Sequence, residues 1–315
     1  MDNHPFISIC IPAYQRPQYL KRLLDSIRVQ SFTNFEVIIT DDSPDDSVYQ
    51  LFNAYAGIIP TLYYHKNPRP LGTPANWNAA IALAKGQWIK LMHDDDWFAH
   101  AGSLQQFADA AKENEGAFIF SAFTNKYENT GIEKVFFPEK VRLKQLKKHP
   151  ESILSKNIVG HPSTTLYPND GKYRYDEKLK WLVDIEMYIR ILRFSPFVYI
   201  NKPLVVLGMS DSQVTAHVKS IPEVEIPEHL YFLKKTGSHI LKNIWAYDYF
   251  WRFIRNFNIV SSTYFEQYDK ENAPPEIINR IISFQSKIPR LVLKTGFASK
   301  LLMSLHYLAN KKYIQ

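Results

Sequence analysis

The sequence predicts an α/β fold: a Rossmann-like, mostly parallel sheet flanked by helices, followed by a C-terminal helical appendage. Three observations predict it. Over the first 120 residues or so, short apolar runs alternate with stretches of helical spacing, the pattern of a parallel sheet covered on both faces. Beyond about Pro222 the pattern is helical throughout, broken at Pro274-Pro275 and Pro289. Charge divides near the same place. From Leu230 onward there are 13 Lys/Arg against 5 Asp/Glu, so this part carries the whole excess behind the net charge of +7.

The elements follow in order. Phe6–Ile11 reads as a strand closed by Pro12, and Pro17–Gln30 as a helix with Leu20, Leu23, Leu24 and Ile27 on one face. Phe35–Thr40 is a second strand, ending abruptly in Asp41-Asp42-Ser43-Pro44-Asp45-Asp46. A helix at Ser47–Tyr55 leads to a third strand, Thr61–His65. A loop rich in Pro and Gly, Asn67–Pro74, precedes a helix through Asn78–Lys85, with Gly86 read as its terminator. Gln87–Met92 is the fourth strand, Ser103–Asn114 a helix, and Ala117–Ala122 a further apolar run. The later part is less regular. Ser163–Tyr167 reads as a strand, Trp181–Arg193 as an amphipathic helix, and Phe197–Ile200 and Pro203–Leu207 as separate short runs. The aromatic residues of 244–253 read as helix-packing residues.

Composition bounds the class. A chain of 315 residues with 45% hydrophobic content can bury a sizeable core. A lone Cys10, inside the first strand, excludes a disulfide framework and a cysteine-based zinc site. No leader peptide and no apolar stretch near 18 residues is expected from the pattern, which with Cys10 favours a cytoplasmic setting. Between Lys287 and Gln315 there are six Lys/Arg and no acidic residue, interspersed with Leu, Ile, Val and Phe. Such a helix suits an anionic membrane surface; the alternative is a solvated helix packed on the domain. No nucleic-acid motif accompanies the basic charge, so no nucleic-acid partner is expected.

Ligands of open parallel sheets bind at the carboxyl ends of the strands. Two strands end there in acid: Asp41-Asp42 after the second, and Asp94-Asp95-Asp96 after the fourth, flanked by His93 and Trp97. Crowded carboxylates repel one another unless a cation is present, and a hard divalent ion takes such oxygens and shares them with phosphates. An isolated acidic run is more often a solvated turn; two at one edge favour a metal–phosphate role. The first turn, Pro12-Ala13-Tyr14-Gln15-Arg16-Pro17, contains no glycine. That argues against a dinucleotide-binding dehydrogenase, a P-loop NTPase and a sugar nucleotidyltransferase. It offers instead Tyr14, a ring able to stack on a base. His65, His161 and His217 lie far apart and read as ordinary core or surface residues, with His217 kept as a further metal candidate.

These features together resemble the family 2 glycosyltransferases, which have the GT-A fold. Four segments carry the resemblance: Ile7–Arg16 (ISICIPAYQR), Phe35–Ser43 (FEVIITDDS), Asn67–Asn78 (NPRPLGTPANWN) and Gly86–Trp97 (GQWIKLMHDDDW). A weaker match runs from Tyr175 through Asp184 to Arg190. The resemblance implies a glycosyltransferase domain over residues 1–220, with a nucleotide-sugar half (about 1–100) and an acceptor half (about 101–220), before a basic helical region at 221–315. It implies nucleotide binding by Pro12, Ala13, Tyr14, Arg16, Asp42, Asn76, Asn78 and Asp94. Tyr14 and Asp42 match the positions that hold the base. Asp95 and Asp96 match the ligands of Mn²⁺ or Mg²⁺, but three consecutive Asp leave the register open by one residue, so Asp94 stays a metal candidate. The family often carries an arginine in the segment that here reads Val206–Ser210, where none stands.

Asp184 matches the general base of the inverting members. A positioned carboxylate can take the proton of an acceptor hydroxyl as it attacks the anomeric carbon; the alternative is a helix N-terminal acid stabilised by the dipole. The implied activity is transfer of a hexose or N-acetylhexosamine, with inversion, from a nucleotide-diphosphate sugar, by family frequency a UDP-sugar. The implied acceptor is a glycan or lipid-linked hydroxyl in polysaccharide or cell-envelope assembly, which would place the protein in the cytoplasm or peripherally on the inner membrane face. The rival is a catalytically silent nucleotide-sugar-binding or scaffold module of the same fold.

Overall fold

The computed structural model describes residues 4–210, 220–269 and 273–314. The chain divides into two compact units: Met1–Leu143 with Ile158–Glu177 and Arg190–Gln213, and Lys144–Asn157 with Lys178–Ile189 and Val214–Gln315.

The first unit is built on one sheet. Its strands are β1 (Ile7–Ala13), β2 (Phe35–Asp41), β3 (Leu62–Lys66), β4 (Trp88–Leu91), β5 (Trp97–Phe98), β6 (Phe118–Tyr127), β7 (Glu133–Phe136), β8 (Thr165–Pro168) and β9 (Phe197–Met209). The order across the sheet is β3-β2-β1-β4-β8-β6-β9-β5, with β7 paired to β6. β3, β2, β1 and β4 run parallel; β8 is antiparallel to both β4 and β6. β1 and β2 are almost wholly buried, which explains continuous apolar runs in place of alternation. Helix α1 (Pro17–Arg28) starts with proline at its first position, where the fixed φ suits a helix start, and buries Leu20, Leu23, Leu24 and Ile27 against the sheet.

From β1 the chain steps to β2 and then β3, and returns across β1 to lay down β4 on its other side. The switch point of the sheet therefore lies between β1 and β4. The turns after β1 and β4 hold Tyr14–Arg16 and Met92–Asp96, and Asp41-Asp42 closes β2 beside them.

Several expectations shift in detail. After α2 (Ser47–Tyr55), helix α3 (Ala75–Leu83) begins behind Pro74, and Ala84 is already extended, so Gly86 does not terminate it. Gly86 is small for another reason: a Cβ there would fall 2.6 Å from the backbone nitrogen of Ser8. Its N–H donates to Ser8 Oγ (2.8 Å) and to the buried Glu36 carboxylate (3.1 Å). The runs at 197–200 and 203–207 are one strand, β9, joined across exposed Asn201 and Lys202 by a shift of register against β6. β5, β7 and α5 (Lys140–Lys148) were not expected, being too short or too exposed to show a period. Helix α4 (Ser103–Glu113) is where its pattern placed it.

The second unit is helical beyond Pro222, as expected: α7 (Pro222–Thr236), α8 (Ile244–Asn256), α9 (Glu276–Gln285), α10 (Arg290–Lys294) and α11 (Gly296–Asn310). Asn243 caps α8 by accepting from the N–H groups of Trp245 and Ala246. Tyr247, Phe250, Trp251 and Phe253 are buried in the packing of this helix, so the aromatic run is core. These helices fold together with two earlier segments. Arg252 donates to Ser155 O (3.3 Å) and Glu228 holds residues 180–182, so the unit reaches back before residue 220. Among the described residues, no helix is long and apolar enough to cross a membrane.

Candidate active site

The switch point gathers charge. Arg16, just past β1, reaches Asp94 (2.5 Å) and Asp95 (3.2 Å) across the sheet's crevice. Asp94, Asp95 and Asp96 are all buried. Burial first, and the neighbouring Asp95 second, push the Asp94 carboxyl above the ordinary carboxylate range, against the pull of Arg16. The same two causes raise Asp96. The cluster thus holds more negative charge than it can comfortably ionise, which is the condition a cation relieves. Tyr14 stands 52% exposed beside it, a ring face open to a ligand.

Asp96 turns inward. Its Oδ1 accepts the N–H of Gly208 on β9 (3.1 Å), while its buried Oδ2 has no hydrogen-bond partner. His93 lies opposite, with Nδ1 3.9 Å from that oxygen and Nε2 buried and unpartnered. His161 completes the group: ligand atoms of His93, Asp96 and His161 lie within 4.8 Å of one another. Burial lowers the His93 pKa to about 4 and also lowers that of His161, so both rings offer a lone pair at neutral pH. His161, read as an ordinary residue from its isolation in sequence, is brought here by the turn before β8. Ser163 in that turn accepts the His93 N–H (3.0 Å), and its carbonyl takes the ammonium of Lys90, a fully buried lysine on β4.

Two further residues fix the acidic turn, and neither was singled out in the sequence. Arg22 of α1 donates to the Asp95 carbonyl (2.9 Å), pairs with Glu128 (2.7 Å) and lies 3.7 Å over the Trp97 ring. It sits between the apolar positions of an ordinary-looking helix, so no local signal marks it. Gly208 presses its Cα against the same turn. A Cβ there would fall well inside contact distance of the Asp95 carbonyl oxygen, and 3.0 Å from Arg22 Nη2. Gly208→Ala is therefore expected to displace the turn and to lower unfolding stability by about 1–3 kcal/mol, the usual cost of overpacking. A urea midpoint equal to that of the parent chain contradicts this.

The other nucleotide-binding candidates hold the frame. Asp42 accepts from Asn67 Nδ2 (2.7 Å) and from the N–H groups of Leu71 (3.1 Å) and Gly72 (2.8 Å), folding the 67–72 loop over its own carboxylate. Asn76 accepts from Asn67 (2.9 Å), and its amide lies within 3.4 Å of the Ala13 carbonyl and 3.3 Å of that of Thr40, tying β1 to β2. Asn78 pairs with the backbone of Tyr175 in both directions, at 2.9 Å each way. Pro12 and Ala13 are the last residues of β1, in register with Thr40 and Asp41. His217 lies outside the described residues.

Asp184 belongs to the second unit, in the first turn of α6 (Val183–Leu192). It accepts from the Ile185 N–H (2.8 Å) and from Asn157 Nδ2 (3.2 Å). Burial pushes its pKa up to about 6, against hydrogen bonds from the Ile185 N–H and its own backbone N–H, close to the value a general base needs near neutrality. The segment leading into α6 is held from α7: Glu228 accepts the N–H groups of Lys180 (2.6 Å), Trp181 (2.9 Å) and Leu182 (3.0 Å). Forty-odd residues separate the two segments in sequence, so this support is invisible until the chain folds.

A half-parallel sheet with its acidic turn beside the switch point is the GT-A architecture of glycosyltransferases. Solved structures agree on the fold: S. aureus TarS superposes with a TM-score of 0.61 at 17% identity, covering 98% of this chain and 54% of that one. The chain belongs to glycosyl transferase family 2, whose model matches residues 8–168. Among curated relatives, an uncharacterized glycosyltransferase of Methanocaldococcus jannaschii is 30% identical over 195 residues, 61% of this chain and 66% of the relative. Chondroitin synthase of Pasteurella multocida is 25% identical over 209 residues, 64% of this chain but only 21% of that enzyme. The chain thus spans just under two thirds of the first relative and about a fifth of the second.

Proposed function

We propose that the protein transfers a hexose or N-acetylhexosamine from a UDP-sugar to a hydroxyl of a glycan or lipid-linked acceptor, inverting the anomeric centre. The observation that carries this reading is the over-crowded carboxylate turn Asp94–Asp96 at the switch point, beside the exposed ring of Tyr14. Its fit to UDP is supported by TarS, a neighbour of the same fold solved in complex with UDP-GlcNAc. A glycan acceptor is supported by the likeness to chondroitin synthase.

Tyr14 stacks on the base, and the loop ordered by Asp42 borders it. Arg16, already bound to Asp94 and Asp95, is the positive group of the first turn that meets the donor. The donor set suits Mn²⁺ or Mg²⁺: Asp95 with Asp94 offers hard oxygens towards the crevice, and the unpartnered Asp96 Oδ2 with His93 and His161 offers a second, inner set. When bound, the ion neutralises charge on the departing diphosphate. In the transfer step the acceptor oxygen bonds to the anomeric carbon as the bond to the donor phosphate breaks. The bonding pair leaves on the diphosphate, and the hydroxyl proton passes to the Asp184 carboxylate.

A thermal-shift panel of nucleotide sugars with and without Mn²⁺ tests the donor, because a ligand that binds the folded state raises its melting temperature. UDP-sugars are expected to stabilise the chain in the presence of Mn²⁺. Release of UDP from the stabilising donor separates an enzyme from a silent binding module, in which donor binding persists without turnover.

A further inference from the structure

We infer that α11, with the turn before it, docks on an anionic lipid surface. Its inner side is fixed to the second unit: Ser299, Met303, His306 and Tyr307 are buried. Trp251 Nε1 donates to Ser299 Oγ (3.1 Å), and the Tyr247 hydroxyl lies 2.6 Å from His306 Nδ1. The opposite side is apolar as well. Phe297, Leu301, Leu305 and Leu308 are 82%, 51%, 55% and 70% exposed. At roughly 100° per residue they fall within an arc of about 80°, facing away from the buried stripe. Leu291, in the helix before, adds another side chain 82% exposed. Together they form an exposed apolar patch of the order of several hundred Å², larger than isolated surface leucines produce.

Charge selects the occupant. Lys287, Arg290, Lys294, Lys300, Lys311 and Lys312 are all exposed in the stretch that carries this stripe, and no Asp or Glu occurs from 287 to 315. A second copy of the chain laid on this face would bring its own six cations against these. An anionic bilayer offers acyl chains to the leucines and phosphates to the lysines. The helix is too short and too polar on its inner side to span a membrane, so it lies in the surface plane. This inference is independent of the transfer reading, since it is tested without donor or acceptor.

The test is co-flotation of the full chain with vesicles of phosphatidylcholine alone or with about 30% phosphatidylglycerol, at low and high salt. Recovery with the anionic vesicles is expected to exceed that with neutral ones at least tenfold and to fall as salt rises. The triple variant Phe297→Ser, Leu301→Ser, Leu305→Ser removes side chains that are at least half exposed; circular dichroism checks that it folds, and it is expected to lose flotation. Lys294→Glu with Lys300→Glu is expected to weaken it about tenfold or more. No recovery with anionic vesicles, or equal recovery with both, overturns the proposal. So does a dimer by light scattering that the triple variant converts to monomer while neither chain floats.

Discussion

Asp184→Asn is expected to lower the rate of sugar transfer about 10²–10⁴-fold, the usual contribution of a positioned general base, and to leave donor affinity unchanged. The substitution keeps size and one acceptor oxygen for the Ile185 N–H but cannot take a proton. The parent chain supplies a second readout. With its pKa pushed up to about 6 by burial, Asp184 as the base must lose its proton to act, so transfer is expected to rise with pH through about 6, and this limb to disappear in the variant. Stability moves the other way. The folded chain keeps on Asp184 a proton that the unfolded chain sheds from about pH 3.8, so this group's contribution is full below that pH and is lost as pH rises through about 6. Asp184→Asn is therefore expected to unfold no more easily than the parent at pH 7. Steady-state transfer at the parental rate rules out the assignment, whatever the stability.

Asp95→Ala is expected to abolish metal-dependent donor binding. In the parent chain a donor at about a hundred times its Kd adds about 2.7 kcal/mol to stability, a rise of a few degrees in melting temperature; the variant is expected to show no such rise with Mn²⁺. Asp94 keeps its own contact with Arg16, so the loss reads on metal and donor and not on collapse of the turn. Asp96→Ala reads the other donor set. If the Mn²⁺-dependent shift survives Asp95→Ala and vanishes in Asp96→Ala, the ion sits with His93 and His161. The register of the three consecutive Asp is then settled by measurement.

Much of this architecture is legible in the residues. Three buried parallel strands, β1, β2 and β4, announce themselves as short apolar runs, because a strand covered on both faces has no polar side to show. The acidic turns follow directly from where those runs stop. α1 and α4 show a helical period because each packs one face on the sheet. Short or exposed elements such as β5 and β7 carry too few residues for any period, and β9 looked like two strands because its bulge exposes Asn201 and Lys202. Gly86 reads as a helix terminator in the sequence, and Gly208 carries no local signal. Their reason is the backbone pressed against each of them, at Ser8 and at Asp95, which no local pattern reveals.

The acidic run after β4 shows the same division. By itself the sequence determined that a GT-A sheet ends in three carboxylates at the edge where ligands bind, since strand pattern and strand end are local properties of the chain. Only the tertiary structure decided how those carboxylates differ. Arg16 draws Asp94 and Asp95 across the crevice, the Gly208 N–H holds Asp96 inward opposite the half-buried His93, and His161 arrives from a turn some 65 residues on. Burial and neighbouring charge set the character of an ionisable group, and both come from residues distant in the chain.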